Sequence, residues 1–300
     1  MRDQKTSFTK LMSVGFLVAS ALGVQPTLAS SSGVVETIVA TEAREFAATL
    51  NPAGNRIYFN RSSETGSWHI WVADFNGGQI GDAVPISFSD DRYDDLDPFV
   101  SRSGDRLYFS SDRPLPGSDS TDRTVDTNTW YAPLVGGQWG APVFAGDAVN
   151  TASSETYVSE SAAGELIFAR FGEGRGRSRP AYLLIAGRTE AGFANPIQIK
   201  TEPAGLRLTN PAISPDGTLI VAAGTQGGGP SLYYSKKIGD GAWAKFKPLP
   251  SPVNIESSGQ FAPYISNDGE WLYFGSDRNS TGEERNDDIF RVPLKSLLTD

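Results

Sequence analysis

Three hundred residues without a single cysteine exclude disulfides, zinc thiolates and cysteine nucleophiles, so packing and hydrogen bonding alone must hold the chain together. A formal net charge of −9 makes nucleic acid and anionic lipid poor partners. One histidine leaves no basis for a transition-metal site, and neither a metal nor another cofactor is expected.

The chain opens with Arg2, Lys5 and Lys10, an uncharged apolar run from Leu11 to Val24, and small residues around Pro26-Thr27-Leu28-Ala29. Residues 1–29 therefore read as a secretory signal peptide. The apolar run is shorter than the ~20 residues a spanning helix needs. Residues 30–300 carry 23 Lys and Arg against 34 Asp and Glu. They are expected to form one domain in the periplasm or outside the cell, monomeric and without an integral membrane segment.

A strand-like segment, VETIVAT at 35–41, comes next and has no partner nearby. Then one phrase is written five times: NPAGNRIYF at 51, SRSGDRLYF at 101, SAAGELIFA at 161, SPDGTLIVA at 214 and SNDGEWLYF at 266. The turn glycines, Gly54, Gly104, Gly164, Gly217 and Gly269, are spaced by 50, 60, 53 and 52 residues. A period near fifty, with turn residues followed by β-rich runs, marks a propeller blade.

Each copy has the same order of parts. An inner strand leads to the turn, a second strand follows, and a loop brings a third: HIWVADF, NTWYAPL, AYLLIAG, SLYYSKK and DIFRVPL. Hairpins such as Gly136-Gly137 then return the chain into short fourth strands, among them PISFS, PVFAG and PIQIK. The last copy has no fourth strand. Pairing residues 35–41 beside DIFRVPL closes the ring and covers two edges at once. The expectation is an all-β, five-bladed propeller of four-stranded antiparallel blades over residues 30–300.

The phrases SPDG, SGDRLYFSSDR and SNDGEWLYFGSDR with NDDIFRVPL resemble the exported TolB-type repeat, also described as WD40-like. The resemblance runs through nearly all of the chain after the signal. It implies a periplasmic or secreted binding platform; TolB itself binds a peptidoglycan-associated lipoprotein. This chain differs from TolB in showing five blades where TolB has six, and in having no α/β domain before them.

Alternate connections in such blades fall on alternate faces. The glycine turns share one face. The long loops SDRPLPGSDSTDRTVDTN at 111, FGEGRGRSRP at 171 and GSDRNSTGEERND at 275 share the other, where rigid strands present variable segments. Aligning the inner strands stacks Ala47, Asp97, Glu155, Asn210 and Ala262 around the channel mouth on that loop face, with Glu45, Asp95 and Gln260 just upstream. Asp90, Asp91 and Asp94 extend an acidic rim, and Arg170, Arg175, Arg177 and Arg179 face it. Both signs of charge around one mouth suit a protein or peptide ligand.

A second reading is enzymatic. The start Asp97-Pro98-Phe99 is similar to the first blade of arabinanase-type propellers, which implies glycoside hydrolysis by Asp97 and Glu155 with Asp95 or Glu45 as a third carboxylate. Ser-Asp-Arg at 111–113 and 276–278 recurs between blades, which favours a structural role over a catalytic one. His69 lies in a third strand, away from any such mouth.

Overall fold

The repeated turn is built the same way five times, and its chemistry explains its composition. The amide of the turn glycine donates to the carbonyl three residues earlier, at 2.9 Å for Gly54 to Asn51 and 2.8 Å for Gly104 to Ser101. All five glycines have φ between +68° and +80°, a conformation that a Cβ resists. The residue that opens the turn is Asn51, Ser101, Ser161, Ser214 or Ser266. Its side-chain oxygen accepts the amide that starts the second strand, as in Trp271 N to Ser266 Oγ at 2.9 Å and Leu219 N to Ser214 Oγ at 3.0 Å, or in blade 3 the amide just before it, Glu165 N to Ser161 Oγ at 3.1 Å.

The structure is a computed structural model that describes residues 34–174, 179–190, 192–225, 229–239, 241–281 and 285–298. Five antiparallel sheets stand in a ring, which makes the fold a five-bladed β-propeller. The inner strands are Glu45–Leu50, Asp95–Val100, Glu155–Glu160, Arg207–Ile213 and Gln260–Ile265. Blades 1 to 4 finish in two-residue outer strands: Val84–Pro85, Val143–Phe144, Ile197–Gln198 and Lys247–Pro248. Blade 5 is completed from the other end of the chain. Glu36–Val39 pairs with Asp288–Pro293, Glu36 opposite Arg291 and Val39 opposite Ile289. An ion pair locks this closure, with Arg291 Nη2 2.7 Å from Glu36 and the guanidinium 3.9 Å above the Trp271 ring.

The apolar core lies between blades. Blades 1 and 2 bury Tyr58, Ile70, Val100, Leu107, Phe109 and Trp130 together, and blades 4 and 5 bury Val221, Leu232, Leu272, Phe274 and Phe290. Each such side chain contributes about 1.5–3 kcal/mol. Ile80, Trp139, Phe193 and Trp243, which occupy matching hairpin positions, pack against the buried cluster of Tyr58 and Leu107 or against two further buried clusters of the ring. The segment read as a signal peptide lies outside the described residues. Among the described residues, no helix is long and apolar enough to cross a membrane.

Candidate functional site

The inner strands share a defect that shapes the channel. In every one the ladder register slips by a residue, between Phe46 and Thr49, Leu96 and Phe99, Thr156 and Ser159, Thr209 and Ala212, and Phe261 and Tyr264. The bulged residue in each has positive φ: Ala47 at 55°, Asp97 at 56°, Tyr157 at 58°, Asn210 at 49° and Ala262 at 48°. No other described residue apart from glycine does so. Such a conformation costs roughly 1–2 kcal/mol for a residue with a Cβ, so five in register are a built feature of the ring.

Four of the five residues aligned from sequence are in that ring, and Glu155 is not. Tyr157 holds the blade 3 position. All five ring residues sit seven positions before their turn glycine, an interval present in the sequence, whereas Glu155 sits nine before Gly164. Glu155 belongs with Glu45, Asp95 and Gln260, at the position two residues earlier in the strand.

Those four side chains are fully buried and bonded within their own blades. Glu45 Oε1 accepts from Arg61 Nε at 2.8 Å, Asp95 Oδ1 from Arg113 Nη2 at 2.5 Å, and Glu155 Oε1 from Arg170 Nε at 2.7 Å. Thr151 Oγ1 adds 2.6 Å to Glu155, and Thr41 Oγ1 bonds Glu45 in the same way, so each glutamate also ties down the loop that leads into its strand. Burial pushes all three carboxyls up, against the pull of the threonines and arginines. The Gln260 amide donates to Ser258 O at 2.8 Å.

The acidic rim is likewise paired. Arg92 holds Asp90 at 2.5 Å, Arg123 holds Asp94 at 2.7 Å, and His69 lies 3.1 Å from Asp91. Arg113 and Arg278 of the Ser-Asp-Arg triplets bond inward, to Asp95 and to Val253 O, while Asp112 and Asp277 accept backbone amides. Arg179 bonds Gly172 O at 2.9 Å and Asp126 at 3.2 Å; Arg175 and Arg177 lie outside the described residues.

What does face the channel is a small polar set. Asp97 is 5% exposed, and its Oδ1 has no hydrogen-bond partner. Burial raises its carboxyl well above the usual range, with only the Ser110 hydroxyl opposing. Burial and the neighbouring Asp97 also raise the Tyr157 phenol. Asn210, 6% exposed, accepts from Thr209 Oγ1 at 2.8 Å, while its Nδ2 is unpartnered. These three line a cavity of about 30 Å³ with Ala47, Ala262 and Tyr264, which is room for about two waters. Among the described residues, no group of three or more His, Asp or Glu is placed to hold a metal ion.

Toward the turn face, the channel is stopped by Arg102. Its guanidinium donates to Glu160 O at 2.8 Å, Ile213 O at 3.1 Å, Ile265 O at 3.1 Å and the Asn267 side chain. The rings of Phe99 and Tyr264 lie 5.3 and 5.7 Å away, and Asn267 reaches on to Asn51 O. All five blades are thereby joined through two side chains.

At the loop face the channel widens into an aromatic and cationic collar that the sequence reading missed. Phe46 packs edge-on to Trp68 at 4.8 Å and against Phe261 at 5.7 Å; Arg44 lies over Trp68 and Arg285 over Phe261. Phe46 and Phe261 fill the same strand position in the matching triplets EFA and QFA, a signal present in the sequence. Beside them a cavity of about 440 Å³ opens between blades 3, 4 and 5, lined by Tyr157, Arg207, Thr209, Asn210, Phe261 and Arg285.

No family model and no curated protein matches the chain. Among solved structures, it is similar to the TolB-type protein of Agrobacterium tumefaciens, at 13% identity over 88% of this chain and 85% of that one, with a TM-score of 0.52. TolB of Acinetobacter baumannii gives 14% identity, 87% and 57% coverage and a TM-score of 0.50, so this chain spans little more than half of that protein. A thermostable family-43 glycoside hydrolase gives 13% identity, 84% and 90% coverage and a TM-score of 0.55. At such identities the likeness is one of fold, shared by binding proteins and enzymes alike.

Proposed function

We propose that the protein is an exported, non-enzymatic TolB-like propeller that binds a protein or peptide partner at the loop-face mouth of its channel. The observation that carries this reading is the asymmetry of the channel. Arg102 fills one end, and the other carries the half-buried rings of Trp68 and Phe261, packed on the buried Phe46 and flanked by Arg44 and Arg285, the residue types enriched where proteins meet. The periplasm or the cell exterior is the compartment that residues 1–29, read as a signal peptide, favour.

Glycoside hydrolysis needs two carboxyl groups flanking one bond. Among the described residues lining either cavity Asp97 is the only acidic one, while Glu45, Asp95 and Glu155 are each held by an arginine of their own blade. That arrangement speaks for recognition over hydrolysis.

The test is a pull-down from envelope extract with the wild type and a Trp68→Ala, Phe261→Ala variant, run beside a sugar-release assay on arabinan and xylan. A partner retained by the wild type and lost by the variant is the expected result. Sugar release by the wild type that disappears in Asp97→Asn overturns the reading.

A further inference from the structure

Blade 4 breaks the pattern of charge that the first three blades keep. In blades 1 to 3, a buried acid near the start of the inner strand neutralises an arginine: Glu45 with Arg61, Asp95 with Arg113, Glu155 with Arg170. In blade 4 the register puts Leu208 at that position, paired with Gly224, and the residue before it is itself an arginine, Arg207. Among the described residues no carboxylate pairs with Arg207. Its one hydrogen bond to a described residue is from Nε to Arg179 O, at 2.8 Å.

The surroundings of this guanidinium add to its need for a counter-charge. Arg207 and Arg179 both lie over the Phe171 ring, at 5.3 and 5.7 Å. Burial and the like charge of Arg179 together pull the Arg207 pKa down, so its positive charge is held where neighbours disfavour it. Arg207 lines the 440 Å³ cavity at the mouth, and so does Asn210, a nine-tenths buried side chain whose Nδ2 has no acceptor. Tyr157 and Asn210 line both this cavity and the channel, and Phe261 forms an apolar wall. Arg285, on the far side, is already compensated by Asp287 at 2.6 Å and Asp277 at 3.5 Å.

We propose that this cavity is an anchor for a carboxylate on the partner peptide, with the free face of the Arg207 guanidinium and the Asn210 amide as its donors and Phe261 packing the adjoining apolar group. The inference rests on the reading of the mouth as a peptide-binding surface and assigns that surface its ligand chemistry. An inorganic anion would leave most of the cavity and its apolar wall unused, since sites of this volume accommodate small organic groups. The location also fits the electrostatics of the molecule. A chain of net charge −9 repels acidic partners in general, so a local cation with no carboxylate partner among the described residues selects for where such a partner docks. A guanidinium fork grips a carboxylate through two parallel bonds, which a point charge does not do.

The test is selection from a phage-displayed random heptapeptide library on residues 30–300, carried out with the wild type, Arg207→Met and Arg207→Lys, each checked for folding by thermal melting. The expected result is enrichment of peptides containing Asp or Glu by the wild type. Labelled synthetic copies should then bind at least about tenfold more tightly than their Asn or Gln counterparts, the range of a charge-assisted hydrogen bond. Arg207→Met should lose that discrimination, and Arg207→Lys should keep only part of it. Peptides ending in a free carboxylate, compared with amidated ones, separate a side-chain acid from a chain terminus. Enrichment of peptides without acidic residues, or equal discrimination by Arg207→Met, overturns the carboxylate anchor and leaves peptide binding standing. Enrichment of no peptide by the wild type overturns both.

Discussion

The two ends of the central channel place arginines in opposite circumstances. At the turn end, Arg102 is surrounded by carbonyls from three other blades, with two aromatic rings at its sides. At the loop end, Arg207 has one carbonyl and another arginine for company, next to a buried amide without an acceptor. The same side chain is a bolt where the backbone supplies acceptors and a recognition group where it does not. Acceptor supply follows from strand geometry. At their last residues, Glu160, Ile213 and Ile265, three inner strands present carbonyls to Arg102, while the bulged beginnings of the strands carry side chains into the channel instead.

The largest effect expected in breaking this comparison is at the bolt. Arg102→Met leaves three inward carbonyls without a donor, each costing about 1–3 kcal/mol, so urea unfolding should show a loss of about 3–5 kcal/mol. A loss below about 1 kcal/mol would mean that the blades are not coupled through this residue. Next is Glu155→Ala, which strands Arg170 and frees the loop at Thr151; about 2–3 kcal/mol should be lost by the same measurement, with no change in what the mouth binds.

Asp97→Asn works in the other direction. Because burial raises the Asp97 pKa in the folded chain, folding favours its protonated form. The stability it gives is fully present below the ordinary carboxylate range and is lost as pH rises through the folded value. The asparagine variant should therefore gain stability relative to the wild type as pH rises toward 8. The two should converge at pH 4, and melts at a series of pH values read this directly. Smallest for the fold is Thr209→Ala, which removes only the bond to Asn210 and should change stability by about 1 kcal/mol or less. It sharpens the comparison because it frees the amide that the mouth presents.

The fold was legible because its turn is chemical and local. Asn or Ser opens it, Gly closes it, and both requirements are met within four residues, so five copies and their spacing can be read without knowing what touches what. The closing strand was legible by subtraction, as the one apolar segment without a partner beside the one blade without a fourth strand. The site was harder. Asp97 and Asn210 were placed correctly, but Glu155 was drawn into the ring because it is the nearest acid in its strand, whereas position relative to Gly164 selects Tyr157. The pairings that remove Glu45, Asp95 and Glu155 from the mouth join residues 16, 18 and 15 apart, because the arginine falls at a different distance after the turn glycine in each blade, so no fixed spacing reveals them. Arg207 stands out only once it is known that blade 4 has no acid to meet it.

The closure of the ring carries a consequence for the order in which the molecule is made. Val39 finds its partner in Ile289, 250 residues later, so a chain emerging from its N-terminus holds Ile38 and Val39 unpaired while four blades take shape. Contacts this distant in sequence form last, after the entropy of closing a very long loop has been met. Blades 1 to 4 can condense by local hairpins as they appear. Blade 5, and with it the finished perimeter, waits for the final strand. Truncation at the C-terminal strand would thus expose an apolar edge at both ends of the arc, and the whole interval before residue 290 is one in which the growing chain must be kept from pairing with another copy.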